Sequence, residues 1–137
     1  MGALGVTATP YMTLLALSVV LLVFHVLLQG MLSTRELGSE WNAGPRDGGL
    51  EPKGRLAGRA GRTSKNFQET YPAFIGLLFG VLLTGDASGW GLLGGWLWFA
   101  ARIAYIPLYL KGIPYIRSFV WLIGMLGLLV MTIALFR

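Results

Sequence analysis

The chain has 137 residues, 55% hydrophobic and 12% charged, with no cysteine and a mean hydropathy of +0.65. Soluble domains of this length carry about twice that charged fraction, and without a thiol there is no disulfide, no thiolate nucleophile and no thiol-ligated metal site. A net charge of +5 and a pI near 10.0 would suit a nucleic-acid binder, but the basic residues gather in the connections between apolar runs instead of marking a nucleic-acid face.

Four apolar runs stand out, at roughly 11–32, 66–84, 90–110 and 115–136. About 20 helical residues at about 1.5 Å rise cross a hydrocarbon core of about 30 Å, and each run meets that length. None alternates as a transmembrane strand must. No Lys or Arg precedes the first run, which is also too long for a signal-peptide core, so it is expected to be a permanent anchor. The connection over about 33–58 is rich in Gly, with Pro45 and Pro52, and reads as an irregular loop.

From Gly58 the pattern changes. Arg59, Arg62, Asn66 and Glu69 fall at i, i+3, i+7 and i+10, along one helical face. The second helix is therefore expected to start inside the basic stretch and run over about 59–84, with Pro72 as a point of kinking. The turn Gly85-Asp86-Ala87-Ser88-Gly89 leads to a helix over about 90–110. Lys111-Gly112-Ile113-Pro114 leads to the last, over about 115–136. Short connections make sequential helices antiparallel. Gly91, Gly94, Gly95, Gly124 and Gly127 let helix backbones approach closely. The expected fold is an all-α membrane protein: one domain over 1–137, built as an up-down bundle of four transmembrane helices.

Charge placement predicts sidedness. Seven of the eleven basic residues (Arg35, Arg46, Lys53, Arg55, Arg59, Arg62 and Lys65) lie between the first two runs, and Lys111 lies in the third connection. The second connection and the N-terminal segment have none. The positive-inside rule puts both basic connections in the cytoplasm and both termini outside.

An ionised group at a helix centre costs about 2.5–3.5 kcal/mol on insertion scales, so each one needs a reason. Glu69, Arg102 and Arg117 qualify, and Glu69, the only acid inside an apolar run, is the expected partner of Arg102. A clamp that fixes helix register would need only that pair. Here Arg102, Tyr105 and Tyr109 share a face, the fourth helix opens with Arg117-Ser118, and the second adds Arg62, Asn66 and Glu69. That collection suits a small polar ligand whose carboxylates meet Arg and whose ammonium meets Glu69. His25 and Gln29 extend the face. A lone His without a second His or Cys predicts no metal site. The five tryptophans read as interfacial anchors and packing residues, and no Walker loop or nucleotide-binding glycine motif is present.

The stretch Arg59-Ala-Gly-Arg62-Thr-Ser-Lys65-Asn66-Phe-Gln-Glu69-Thr-Tyr-Pro72 resembles the second-helix signature of the MAPEG family, the membrane-associated proteins of eicosanoid and glutathione metabolism. Arg102-Ile-Ala-Tyr105-Ile-Pro-Leu-Tyr109 and Pro114-Tyr-Ile-Arg117-Ser118 resemble its third- and fourth-helix signatures. Gly44-Pro45-Arg46-Asp47 is similar to a bacterial branch, which implies the bacterial inner membrane. The resemblance covers nearly the whole chain. It implies a homotrimer that binds glutathione as cosubstrate between subunits near the cytoplasmic face. Arg62, Lys65, Asn66, Glu69, Arg102, Tyr105 and Tyr109 would be the binding residues, and Arg117 and Ser118 the catalytic ones. Lys65 stands where some members have Arg.

In catalytic members the resemblance implies that Arg117 stabilises the glutathione thiolate, for conjugating or reducing a hydrophobic electrophile or lipid peroxide. Lowering a thiol pKa of about 8.5 by about two units takes roughly 2.7 kcal/mol, within reach of a guanidinium in a low-dielectric pocket. One departure stands out. Some enzymes of the family carry an Arg at the end of the first helix, where this chain reads Gln29-Gly-Met31-Leu-Ser-Thr. A non-catalytic member that binds lipid or a partner is the alternative.

Overall fold

The computed structural model describes residues 7–137. The first six, whose lack of Lys and Arg enters the reading of sidedness and which the one-domain reading includes, lie outside the described residues. Among those described there are five helices and no strand: α1 (Thr9–Leu37), α2 (Ser39–Ala43), α3 (Arg55–Leu83), α4 (Trp90–Leu110) and α5 (Pro114–Ala134). Local chemistry sets their ends. Pro10 sits in the first turn of α1, where a missing N–H costs nothing, and Gly38 stops that helix at φ 96°. Gly112, at φ 73°, closes α4, and Pro114 opens α5 two residues later.

Three helices, α1, α4 and α5, are long and apolar enough to cross a membrane. The fourth long helix, α3, falls short on composition, because its first half carries Arg55, Arg59, Arg62, Lys65, Asn66, Gln68 and Glu69. It begins at Arg55, ahead of the expected position, and continues through Pro72 to Leu83. Its buried residues include Ala57, Ala60, Ser64, Phe67, Tyr71, Phe74, Leu78 and Val81. They alternate three and four apart, the spacing of a helix that buries one continuous seam.

Aromatic rings fill the centre of that seam. Phe74 stacks on the fully buried Trp98 of α4 with centroids 4.1 Å apart, and Phe67 lies 5.5 Å from the same ring. Ser18 of α1 shares a buried 2.8 Å hydrogen bond with the Tyr71 hydroxyl. The α4–α5 contact is closer still. A Cβ on Gly127 would come within 2.6 Å of the Gly94 carbonyl oxygen, and one on Gly94 within 2.7 Å of that of Gly127. No side chain fits there, so the two backbones touch.

The opposite end of the bundle from the long loop is closed by Asp86, which is 5% exposed. Its carboxylate accepts the N–H groups of Gly91 and Leu92, each at 2.9 Å, and the Tyr11 hydroxyl at 2.5 Å. One acid thus caps α4 and ties it to the start of α1, and its negative charge lies at the positive end of the α4 dipole. Asp86→Ala is expected to cost about 2–3 kcal/mol, since it strands buried donors, and Tyr11→Phe about 1 kcal/mol. In a double-mutant cycle followed by thermal melting in detergent, Tyr11→Phe should add little once Asp86 is gone; additive costs would rule the contact out as a shared unit.

Candidate functional site

Near the loop end of the bundle, α3, α4 and α5 diverge around a cavity of about 450 Å³. From α3 come Arg62, Lys65, Asn66 and Glu69, on one face at i, i+3, i+4 and i+7; from α4 come Tyr105 and Tyr109, one turn apart. The first turn of α5 adds Arg117 and Ser118, and Trp121 follows one turn on. Three cations, one acid, an amide and three hydroxyls therefore share one small space.

Tyr109 organises the mouth. Its hydroxyl accepts a hydrogen bond from Arg62 Nε at 3.1 Å, and the guanidinium carbons of Arg117 and Arg62 lie 4.7 and 5.9 Å from its ring centroid. The electron-rich ring face lets two like charges sit close together. Tyr105, buried, lies 5.5 Å from Tyr109. Ser118 donates its proton to the Pro114 carbonyl at 3.2 Å, so it offers the cavity a lone pair until that bond breaks. The indole N–H of Trp121 is shielded from water and has no partner. A structural role alone accounts for a tryptophan at this depth, which hides it from sequence reasoning; the usable signal is its position four residues after Arg117.

Arg102 departs from expectation. It does not pair with Glu69 and does not line the cavity. Only 1% exposed, it donates from Nη1 to Asn66 Oδ1 at 2.7 Å, while its Nε and Nη2 have no partner. Its charge rests against the rings of Tyr105 and Phe67, at 4.5 and 5.6 Å. Glu69 is exposed at the cavity instead. The physical reason is orientation: Asn66 is half-buried and meets the guanidinium of α4, whereas the Glu69 side chain is turned out to the exposed side of α3. By holding Oδ1, Arg102 leaves the Asn66 NH2 as the group available to the cavity.

Other candidates lie elsewhere. His25 is 2% exposed, stacks on Phe67 at 4.9 Å and leaves Nε2 unpartnered. Gln29 does not line the cavity; it lines two neighbouring crevices, one of which shares Arg62 and Lys65 with it. Arg59 donates to the Leu110 carbonyl at 3.1 Å and so caps the end of α4. Among the described residues no group of His and acids is placed to hold a metal ion.

The MAPEG family model matches residues 11–137, and the chain belongs to that family. Three apolar helices long enough to span, together with this membership, make it an integral membrane protein. No curated protein and no solved structure matches the chain.

The Arg102–Asn66 contact has a measurable consequence. A buried guanidinium with two unmet donors is costly, so Arg102→Met should change the melting temperature little or raise it. Asn66→Leu removes the one acceptor and should cost about 2–3 kcal/mol. Adding Arg102→Met to Asn66→Leu should recover most of that loss. If Arg102→Met is the costlier single change, the guanidinium is satisfied by some other group.

Proposed function

We propose that this MAPEG protein binds glutathione in the cavity between α3, α4 and α5. The observation that carries the reading is the match of charges within one space. Glutathione has two carboxylates, one ammonium and one thiol; the cavity has Arg62, Lys65 and Arg117 against one acid, Glu69. Arg62 and Lys65 take carboxylates, Glu69 takes the ammonium, and the Asn66 amide and the Tyr105 and Tyr109 hydroxyls bond the peptide groups. A volume of about 450 Å³ lies within the range of small-molecule sites.

The same reading gives Arg117 the thiol. It is half-buried and permanently charged, and it stabilises the sulfur as a thiolate while its proton leaves to solvent. The thiolate then attacks an electrophilic carbon of an apolar substrate, forming a C–S bond as the leaving group departs with its electron pair. With a lipid hydroperoxide, two glutathiones supply two electrons, giving disulfide, alcohol and water. Ser118 bonds the sulfur only by giving up Pro114, an observation that favours the second reading, a non-catalytic member that binds ligand without activating it.

Further expectations belong to this proposal: α3 as a fourth span, a homotrimer, a position in a bacterial inner membrane, and the basic loop in the cytoplasm with the termini outside. The native chain has no cysteine, so single cysteines at Gly49 and Ser88 report sidedness cleanly. They should label from opposite faces of sealed vesicles, and labelling of both from one face would overturn the topology.

Arg117→Leu should lower turnover of chlorodinitrobenzene at saturating glutathione by up to about 100-fold, the factor that two units of thiol pKa carry. Arg62→Leu should leave turnover nearly intact and raise the glutathione KM about tenfold. Ultraviolet absorbance of the bound thiolate gives an independent readout. Glutathione binding without a thiolate band at neutral pH would leave the non-catalytic reading standing.

A further inference from the structure

Two arginines of α3, one turn apart, hold consecutive residues at the end of α4. Arg62 Nε donates to the Tyr109 hydroxyl at 3.1 Å, and Arg59 Nη1 donates to the Leu110 carbonyl at 3.1 Å. The second contact fills a gap that the sequence leaves. Among the last four carbonyls of α4, those of Pro107, Leu108 and Tyr109 accept the N–H groups of Lys111, Ile113 and Gly112, each at 3.0 Å. The Leu110 carbonyl is left over. In a continuing helix its donor would be the residue four further on, and that residue is Pro114, which has no N–H. Arg59 supplies the missing donor and brings a positive charge to the negative end of the α4 dipole.

The same guanidinium lies against the turn itself. A Cβ on Gly112 would fall 2.6 Å from Arg59 Nη2 and 2.8 Å from its Cζ. Glycine therefore serves this turn twice, by adopting φ 73° and by leaving room for the arginine. Only Lys111, Gly112 and Ile113 separate α4 from α5, and no side chain caps the start of α5. Arg117 sits in the first turn of that helix, with its guanidinium 4.7 Å from the Tyr109 ring centroid. Its place at the cavity is thus passed to it through the turn that Arg59 grips.

We propose that Arg59 is a positioning residue for Arg117. By holding Leu110 and Gly112 it fixes the α4–α5 turn, and with it the distance from the Arg117 guanidinium to the sulfur of a bound thiol. The inference rests on the glutathione reading of the cavity. Arg59 does not line that cavity and touches no ligand there. Distance matters because the attraction between a cation and a thiolate falls as they separate. A displacement of about 1 Å can cost a reaction up to about 100-fold. Arg62, Lys65 and Glu69 stand on α3 and do not depend on the turn for their place.

Two readouts on the full chain in detergent test this. A nitroxide on Lys111→Cys, at an exposed site in a chain with no native cysteine, reports the turn without any ligand. Arg59→Gln should sharpen its spectrum, and Arg59→Lys, which keeps a donor, should restore most of the original line shape. In the cysteine-free chain, Arg59→Gln should raise the pKa of bound glutathione, followed by thiolate absorbance against pH, by about one unit. Turnover of chlorodinitrobenzene at a pH below both values should then fall by up to about tenfold. The glutathione KM should change by less than about twofold. Gly112→Ala, which displaces the guanidinium from the other side, should move both readouts the same way. Arg55→Gln removes a charge one turn earlier on α3 and should move neither. A loosened turn with an unchanged thiol pKa would make Arg59 a helix cap alone and overturn the inference, with the glutathione reading intact. So would an equal effect of Arg55→Gln, or a rise in KM as large as the fall in turnover. A wild-type protein that shows no thiolate band would instead overturn the thiol-activation reading, and this inference with it.

Discussion

A helix that is cationic and amide-rich in its first half cannot rest that half against hydrocarbon, yet its second half is as apolar as any span. α3 has both properties, and the bundle is arranged around them. Its seam of residues three and four apart buries Ala57 through Val81 against α1 and α4. That fixes the helix rotation, and rotation fixes where the polar flank points. Arg62, Lys65, Asn66 and Glu69 then open on a cavity walled by α4 and α5. The cavity thus follows from the same packing that makes the core, and the close Gly94–Gly127 contact joins α4 to α5, two of its walls, toward the other end of the bundle.

How much of this is legible in the sequence depends on the kind of information each feature carries. Length and hydropathy mark α1, α4 and α5 because lipid exposure leaves a long unbroken signal. Spacing along one helix is legible too. Arg62, Asn66 and Glu69 share a face whatever surrounds them, and so do Tyr105 and Tyr109. What spacing cannot convey is which neighbour a long side chain reaches. Charge complementarity alone joins Arg102 to Glu69, whereas the folded chain gives Arg102 to the amide of Asn66 and leaves Glu69 exposed. The role of Asp86 is hidden for a similar reason: a polar turn residue looks solvated until Tyr11, 75 positions away, arrives beside it.

Arg102 and His25 show what the interior tolerates. Each is almost fully buried, each keeps unpartnered nitrogen, and both lie against the Phe67 ring. Aromatic faces give a cation partial compensation without accepting a conventional hydrogen bond. An Arg retained there despite its cost acts on its surroundings. It orients Asn66, and it places a positive charge directly behind the cavity, where low dielectric lets that charge be felt.

The basic residues of the loop and the start of α3 form a block in the sequence, and a block of that kind is usually read as a statement of topology alone. The folded chain divides it. Arg59 caps α4, Arg62 braces Tyr109, Lys65 lines the cavity, and Arg46 sits on Trp41 beside a groove that also holds Arg35. Moving Arg59, Arg62 or Lys65 along the chain by one position would preserve the overall bias while removing its contact, since one residue is about 100° of helix. Sidedness therefore constrains only the number of basic residues at this end of the bundle. Their register is set by the contacts they make and the cavity they line.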